Sequence, residues 1–298
     1  MPFGRPKDSV ALRDIVLGPD QSPQRLAFYC AVLGIDAVGS ADDCDLGPGG
    51  PEAVALAQAI MTMYGHADVA AVRRRLSAMK VAAASRVRAA QTTIAGLRQG
   101  TGEVAVQKVE QGFAGFFAVE VANLSYRRFD GAMSQVIQRE VFISGDAVTV
   151  LPYDPRRDRV LVIEQMRMGP MGRGDPLPWQ IEAIAGRIDP GESPEDCARR
   201  EAVEEAGLNL GRLEKVGEYY PSPGAVSEYL YSYVALCELP DDVAGVFGEA
   251  TEAEDIRGIL LSFDELIEAL ARGDIANAPL MLTALWLQRE RRRLQGGT

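Results

Sequence analysis

Glu201, Glu204 and Glu205 sit three and four residues apart in the stretch GRIDPGESPEDCARREAVEEAGL, residues 186–208. That spacing places all three side chains on one face of an α-helix, about 100° per residue. Carboxylates so crowded repel one another and raise each other's pKa values unless a cation joins them. Hard divalent cations such as Mg²⁺ take oxygen ligands of this kind and commonly share them with substrate phosphates. Glu192 lies just ahead of the cluster and Gly186 opens the loop before it. Three acidic residues alone are also what a solvated helix face looks like, so the surrounding elements have to decide between the two.

The helix that carries the glutamates is well marked. Ser193 reads as its N-cap, Pro194 as its first residue, and Asp196 as the closing member of a capping box. Gly207 supplies the left-handed residue that ends it after Ala206. Ala198, Ala202, Val203 and Ala206 are expected on the other side, small enough to let the helix press closely on a sheet.

Composition narrows the chemistry further. The chain has 298 residues, 47% of them apolar, and a net charge of −11. Such an acidic balance argues against nucleic-acid or anionic-membrane partners, both of which need a basic footprint. No basic-then-apolar leader and no apolar run of about 18 residues is found, so a cytoplasmic protein is expected. Cys30, Cys44, Cys197 and Cys237 lie far apart without CxxC spacing and read as buried or incidental thiols. His66 is the sole histidine, which excludes a multi-histidine metal site. Carboxylates must therefore carry the chemistry.

Along the chain, residues 1–50 hold two short apolar stretches, VALRDIVLG and RLAFYCAVLG, and a Gly/Pro-rich break whose DDCD reads as a solvated loop. From Pro51 to about Arg98 the alanine-rich pattern is helical, with one helix ending near Gly65 and one or two more beyond it. The run Arg73-Arg74-Arg75 reads as an exposed helix face. A domain boundary is placed near GTGE at 100–103, dividing a mainly helical region, 1–100, from a strand-rich domain, 101–298. That second part begins with strands over EVAVQKVEQ, GFFAVEVANLSYRRF and SQVIQREVFIS. AVTVLPYD and RVLVIEQMR follow around a PRRD turn, then a loop over 169–178 and one strand over 179–186. Two strands flank the PSPG turn, and RGILLSF precedes a helix capped by Ser262 and Glu265. Helices on either side of a mixed sheet give an α/β sandwich.

The whole string, G-x5-E-x7-REAVEEAGL, resembles the Nudix box of the Nudix hydrolases. Further matches across 101–292 resemble that family's ADP-ribose pyrophosphatase branch. They are GFF at 115–117, FDG at 129–131, QREVF at 138–142, LPYDP at 151–155, EQMRMG at 164–169, SPG at 222–224 and EAEDI at 252–256. Pro223 stands 16 positions past Gly207, where that branch carries a characteristic proline. AIMTMYG and AASRVRAA look like the extension of TrgB-type tellurite-resistance Nudix proteins. MPFGRP, however, lacks the FYGTL-like opening of a γ-glutamylcyclotransferase segment, and that activity is not assigned.

The resemblance implies a Nudix α/β/α sandwich, a homodimer, and Mg²⁺-dependent hydrolysis of ADP-ribose to AMP and ribose 5-phosphate, with Mn²⁺ as a substitute ion. It implies metal ligation by Glu201, Glu205, Glu254 and the Ala185 carbonyl, with Glu192 and Glu204 completing or orienting the shell and Arg200 holding the glutamates. Glu252 is the candidate general base, with Glu201 or Glu205 in reserve; read without the family, EATEAED is simply a solvated acidic loop. Arg139 and Arg167 are candidates for phosphate oxygens, Phe116 for stacking on adenine (or for core packing), and Glu228 for the base or ribose. Some adenosine contacts would come from the partner subunit. Two competing readings are a pyrophosphatase for another nucleotide sugar such as GDP-mannose, and a sensor that binds ADP-ribose without cutting it. Sensors of that kind often lose box glutamates, and this sequence keeps them all.

Overall fold

The computed structural model describes residues 11–35, 46, 49–91, 97–98, 100, 102–248 and 255–296. Two compact units divide it. One comprises Met1–Gly145, Asp189–Gly191 and Ser222–Glu228, the other Asp146–Ile188, Glu192–Pro221 and Tyr229–Thr298. Compactness thus draws its line at Gly145, later than the change in composition near Gly100, because a three-stranded sheet groups with the helices.

The first unit opens with helices α1 (Leu12–Leu17), α2 (Pro23–Leu33), α3 (Pro51–Thr62), α4 (Val69–Arg74) and α5 (Leu76–Ala90). Both short apolar stretches of the first fifty residues are helical, which their length alone did not reveal. Pro23 and Pro51 occupy the first turns of α2 and α3, where a missing N–H costs nothing. Val16, Cys30, Val32, Ala57, Ile60 and Val72 are fully buried in a core of their own. Each large aliphatic side chain so buried contributes roughly 1.5–3 kcal/mol. Cys44 and the DDCD stretch lie outside the described residues. Strands β1 (Val104–Ala114), β2 (Ala118–Tyr126) and β3 (Ile137–Ile143) form an antiparallel sheet in sequence order.

The second unit holds β4 (Ala147–Asp154), β5 (Arg159–Met166), α6 (Met168–Arg173), β6 (Trp179–Glu182), β7 (Ile184–Arg187) and α7 (Pro194–Ala206). After them come β8 (Leu213–Tyr219), β9 (Leu230–Leu236), β10 (Val246–Phe247), β11 (Ile256–Ser262), α8 (Phe263–Arg272) and α9 (Ala278–Leu294). The sheet runs β10-β11-β5-β4-β9-β8, with β6 on β5 and β7 on β4. The β4–β9 pair is parallel and the others antiparallel, so the sheet is mixed.

Strict alternation sorts this sheet into two faces. Val148, Val150, Leu161 and Ile163 pack with α7, while Leu151, Tyr153, Val160 and Val162 pack with residues of α8 and α9. The expected three-layer sandwich is therefore present. Ser262 and Glu265 form the reciprocal capping box expected at the start of α8. Among the described residues no helix is long and apolar enough to cross a membrane.

Two local expectations need correcting. Residues 169–178 are not all loop, since Met168–Arg173 form a six-residue helix before the left-handed Gly174. Nor is 179–186 one strand. The β4–β5 hairpin pairs beside its turn, at Tyr153↔Val160 and Asp154↔Arg159, and then splays. β6 fills the gap against β5 and β7 fills it against β4, with the change of partner at Ala183. A switch of this kind is decided by which edge is free, a tertiary fact that a strand's own pattern does not carry.

Candidate functional site

α7 starts and stops as its sequence dictates. Ser193 Oγ accepts the Asp196 N–H at 3.1 Å and donates to Asp196 Oδ2 at 2.7 Å. The aspartate thus answers the serine hydroxyl, whereas the longer Glu265 also reaches its cap's backbone N–H. Gly207 takes φ +62°, and the Leu208 N–H turns back to the Ala202 carbonyl at 2.9 Å.

The distribution of burial around α7 is the main departure from expectation. Cys197, Ala198, Ala202, Glu205 and Ala206 are buried, whereas Val203 is 52% exposed. At 100° per residue the buried arc is centred near Glu205, with Glu201 beside it and Glu204 and Arg200 towards the rim. The alanines and glutamates therefore do not oppose one another. The small side chains let the helix approach the sheet, and Glu205 enters the contact itself, 3% exposed.

What receives these carboxylates is β7. Ala185 donates its N–H to Glu205 Oε2 at 3.1 Å. Within a strand the N–H and C=O of one residue point the same way, so the Ala185 carbonyl also faces away from β4. Gly186, held opposite Val148 of β4, lies directly under Glu201. A Cβ built on it would stand 1.7 Å from Glu201 Oε1, so this glycine serves close approach rather than a turn.

Arg200 ties the cluster together. Its Nε and Nη2 take both oxygens of Glu192 at 2.9 and 3.1 Å, a bidentate fork. Nη1 reaches Glu201 Oε1 at 2.7 Å and Glu204 Oε2 at 2.9 Å, and Nη2 also donates to the Arg187 carbonyl at 3.1 Å. The Glu192 bond and neighbouring carboxylates hold its guanidinium charged well above the ordinary arginine value. Burial pushes the Cys197 thiol well up, which keeps it neutral and inert and fits its reading as a packing residue.

Arg167 stands at the end of β5, in the alternation that runs through Leu161, Ile163 and Gln165 towards the α7 face. Its Nε and Nη2 both lie 2.8 Å from Glu182 Oε2, and Asn277 donates to Glu182 Oε1 at 2.9 Å. Glu182 was not singled out from sequence. The available signal was the one charged residue inside WQIEAIA. Arg139, Phe116 and Glu228 belong to the other compact unit. Arg139 is exposed on β3 and donates to the Gln138 carbonyl, and Phe116 is 68% exposed at the β1–β2 tip. Glu252 and Glu254 lie outside the described residues.

The donor set around α7 is all oxygen: the Glu201 and Glu205 carboxylates and the outward Ala185 carbonyl. Such hard donors suit Mg²⁺ or a similar divalent cation. With Arg200 drawing Glu192, Glu201 and Glu204 to itself, no three acidic, Cys or His side chains among the described residues stand gathered as a ready metal cage.

The NUDIX domain family model matches residues 144–283. The ADP-ribose pyrophosphatase of Escherichia coli (strain K12) is 39% identical over 190 residues, covering 63% of this chain and 90% of the relative. This chain belongs to the Nudix family. Within that family it is also similar to the ADP-ribose pyrophosphatase of Haemophilus influenzae, 32% identical over 185 residues, 61% of the chain and 85% of the relative. The GDP-mannose pyrophosphatase of Enterobacter sp. (strain 638) is 34% identical over 151 residues, 51% of the chain and 78% of the relative. A solved structure described as an ADP compounds hydrolase shares the Nudix fold, with TM-score 0.52 and 22% identity over 67% of this chain and all of that one. The E. coli match is longer than everything from residue 144 to the C-terminus, so it reaches back into the strands that precede the NUDIX domain.

Proposed function

We propose that this Nudix hydrolase cleaves the pyrophosphate bond of ADP-ribose, giving AMP and ribose 5-phosphate, with Mg²⁺ or Mn²⁺ as its cofactor. The observation that carries this reading is the buried Glu205 bonded to β7 beside the Glu201–Gly186 contact, in a chain whose 39% identity spans nearly a whole ADP-ribose pyrophosphatase.

Glu201, Glu205 and the Ala185 carbonyl would hold a divalent cation, which would supply neutralisation of the diphosphate oxygens and a lowered pKa for water. Arg200 keeps Glu192, Glu201 and Glu204 in register around that cation, and Arg167, its Nε and Nη2 held by Glu182, offers the Nη1 side of its guanidinium to a phosphate oxygen. Water attacks phosphorus, its proton passes to Glu252, and the P–O bond of the pyrophosphate bridge breaks. Glu254 is the candidate additional ligand, Glu204 assists at the catalytic centre, and Arg139, Phe116 and Glu228 are assigned to the substrate. Residues 101–298 form the functional Nudix domain on this reading, supported by the reach of the E. coli match. It also takes the protein to be a homodimer of the cytoplasm, a compartment that suits its free Cys30, Cys197 and Cys237.

A panel of ADP-ribose, GDP-mannose and other nucleoside diphosphate sugars with Mg²⁺ tests the substrate. Preferred turnover of GDP-mannose would move the assignment to the second class of relative, and tight binding of ADP-ribose without products would make the protein a sensor. Glu252→Gln is expected to slow kcat by about a hundredfold with little change in the metal concentration needed for half activity. The reverse pattern would make Glu252 a ligand. Glu182→Gln, which keeps shape but removes the charge holding Arg167, is expected to raise KM for ADP-ribose about tenfold at nearly constant kcat. An unchanged KM would remove Arg167 from the phosphate site.

A further inference from the structure

The helical region has a specific contact with the β1–β2 hairpin, made by an arginine that sequence placed on an exposed face. Arg73 and Arg74 are exposed as expected. Arg75, the residue before α5, turns inward instead. Its Nε donates to the Gly115 carbonyl at 2.8 Å, and Nη1 lies 3.4 Å from Gln111 Oε1 and 3.9 Å from Met63 Sδ. Arg86, eleven residues on and so about 20° round the helix, binds Glu120 of β2 at 2.7 Å. Val81 of the same helix is pressed on Gly145 so closely that a Cβ there would lie 2.2 Å from it.

The residue bracketed by these contacts is Phe116. On one side Gly115 gives its carbonyl to Arg75 and its N–H to the Phe117 carbonyl at 2.8 Å. On the other, the Phe117 ring lies 5.0 Å from Phe116 and 4.6 Å from Phe142 of β3. Exposed hairpin tips are ordinarily the mobile part of a sheet. Here a tip that exposes an aromatic ring is tied from outside the sheet by a half-buried guanidinium.

We propose that the helical region is a scaffold for this hairpin, and that Arg75 is the positioning residue that presents Phe116 to a planar nucleobase. The proposal rests on the reading that Phe116 contacts substrate. It gives residues 51–90 a task in substrate affinity rather than in bond cleavage.

Steady-state kinetics on the full-length protein with ADP-ribose and Mg²⁺ test it through Arg75→Ala, Phe116→Ala and the double variant. Arg75→Ala is expected to raise KM about tenfold with kcat within about twofold, the size of a lost stacking contact. Phe116→Ala is expected to do the same, and the double variant to be no worse than Phe116→Ala alone. If Phe116→Ala raises KM while Arg75→Ala does not, or if the two effects multiply, the positioning role is overturned and the reading of Phe116 stands. If Phe116→Ala leaves KM unchanged, the reading itself falls. Lowered thermal stability of Arg75→Ala with an unaltered KM marks a merely structural residue and also overturns the proposal. Should the alanine variant not fold, Arg75→Gln, too short to reach Gly115, takes its place with the same expected rise in KM.

Discussion

Glu205→Gln is expected to lower kcat for ADP-ribose by about a hundredfold or more while the protein remains folded. Glutamine keeps the size of the side chain and an oxygen able to accept the Ala185 N–H, so the contact between α7 and β7 survives. What disappears is the negative charge, on the one box carboxylate that is 3% exposed and central to the buried arc of the helix. Because solvent does not share the work of a carboxylate so placed, its loss would, on the proposed ligand role, fall on the cation and through it on the diphosphate. Far-UV circular dichroism and a thermal melt establish that the variant is native, and kcat at saturating Mg²⁺ gives the answer. Activity within a few-fold of the parent would exclude Glu205 as an essential ligand.

Gly186→Ala is expected to cost about a hundredfold in kcat as well, for a different reason. Its Cβ would fall 1.7 Å from Glu201 Oε1 and 2.4 Å from Glu201 Cγ, while β4 pins the backbone at Val148. The carboxylate has to swing away, and a displacement of about 1 Å in a reacting group can cost a hundredfold. The flexible end of a glutamate yields more readily than a core side chain, so stability should fall by only about 1–3 kcal/mol. Loss of activity far beyond loss of stability is the expected signature. A variant that melts early yet hydrolyses normally would show that the seat of Glu201 does not matter to the reaction.

The local signals of the site were legible and its depth was not. Ser193, Pro194 and Gly207 announce the ends of α7 because caps are chemistry between near neighbours. Glu205, by contrast, scores as polar in any periodicity, which sets it with Glu201 and Glu204 opposite the alanines, although it lies among them. Its place depends on a strand that offers an N–H at the right height. Val203 was misplaced by the same reasoning, on the arc beyond the alanines. Arg75 illustrates the limit again, since nothing local separates it from Arg73 and Arg74; a carbonyl forty residues later does. Glu182 is legible in principle, because a carboxylate in a largely apolar strand needs a partner and Arg167 is a candidate from sequence.

The change of neighbour at Ala183 has a mechanical consequence. Residues 167–178 feed into β6, whose bonds belong to β5, while the strand segment that seats Glu201 and Glu205 is fastened to β4. Lengthening, shortening or re-spelling that connection bears first on Glu182 and on the guanidinium it steadies. On the proposed roles of Arg167, Glu201 and Glu205, which molecule is gripped and how it is broken would then have separate handles.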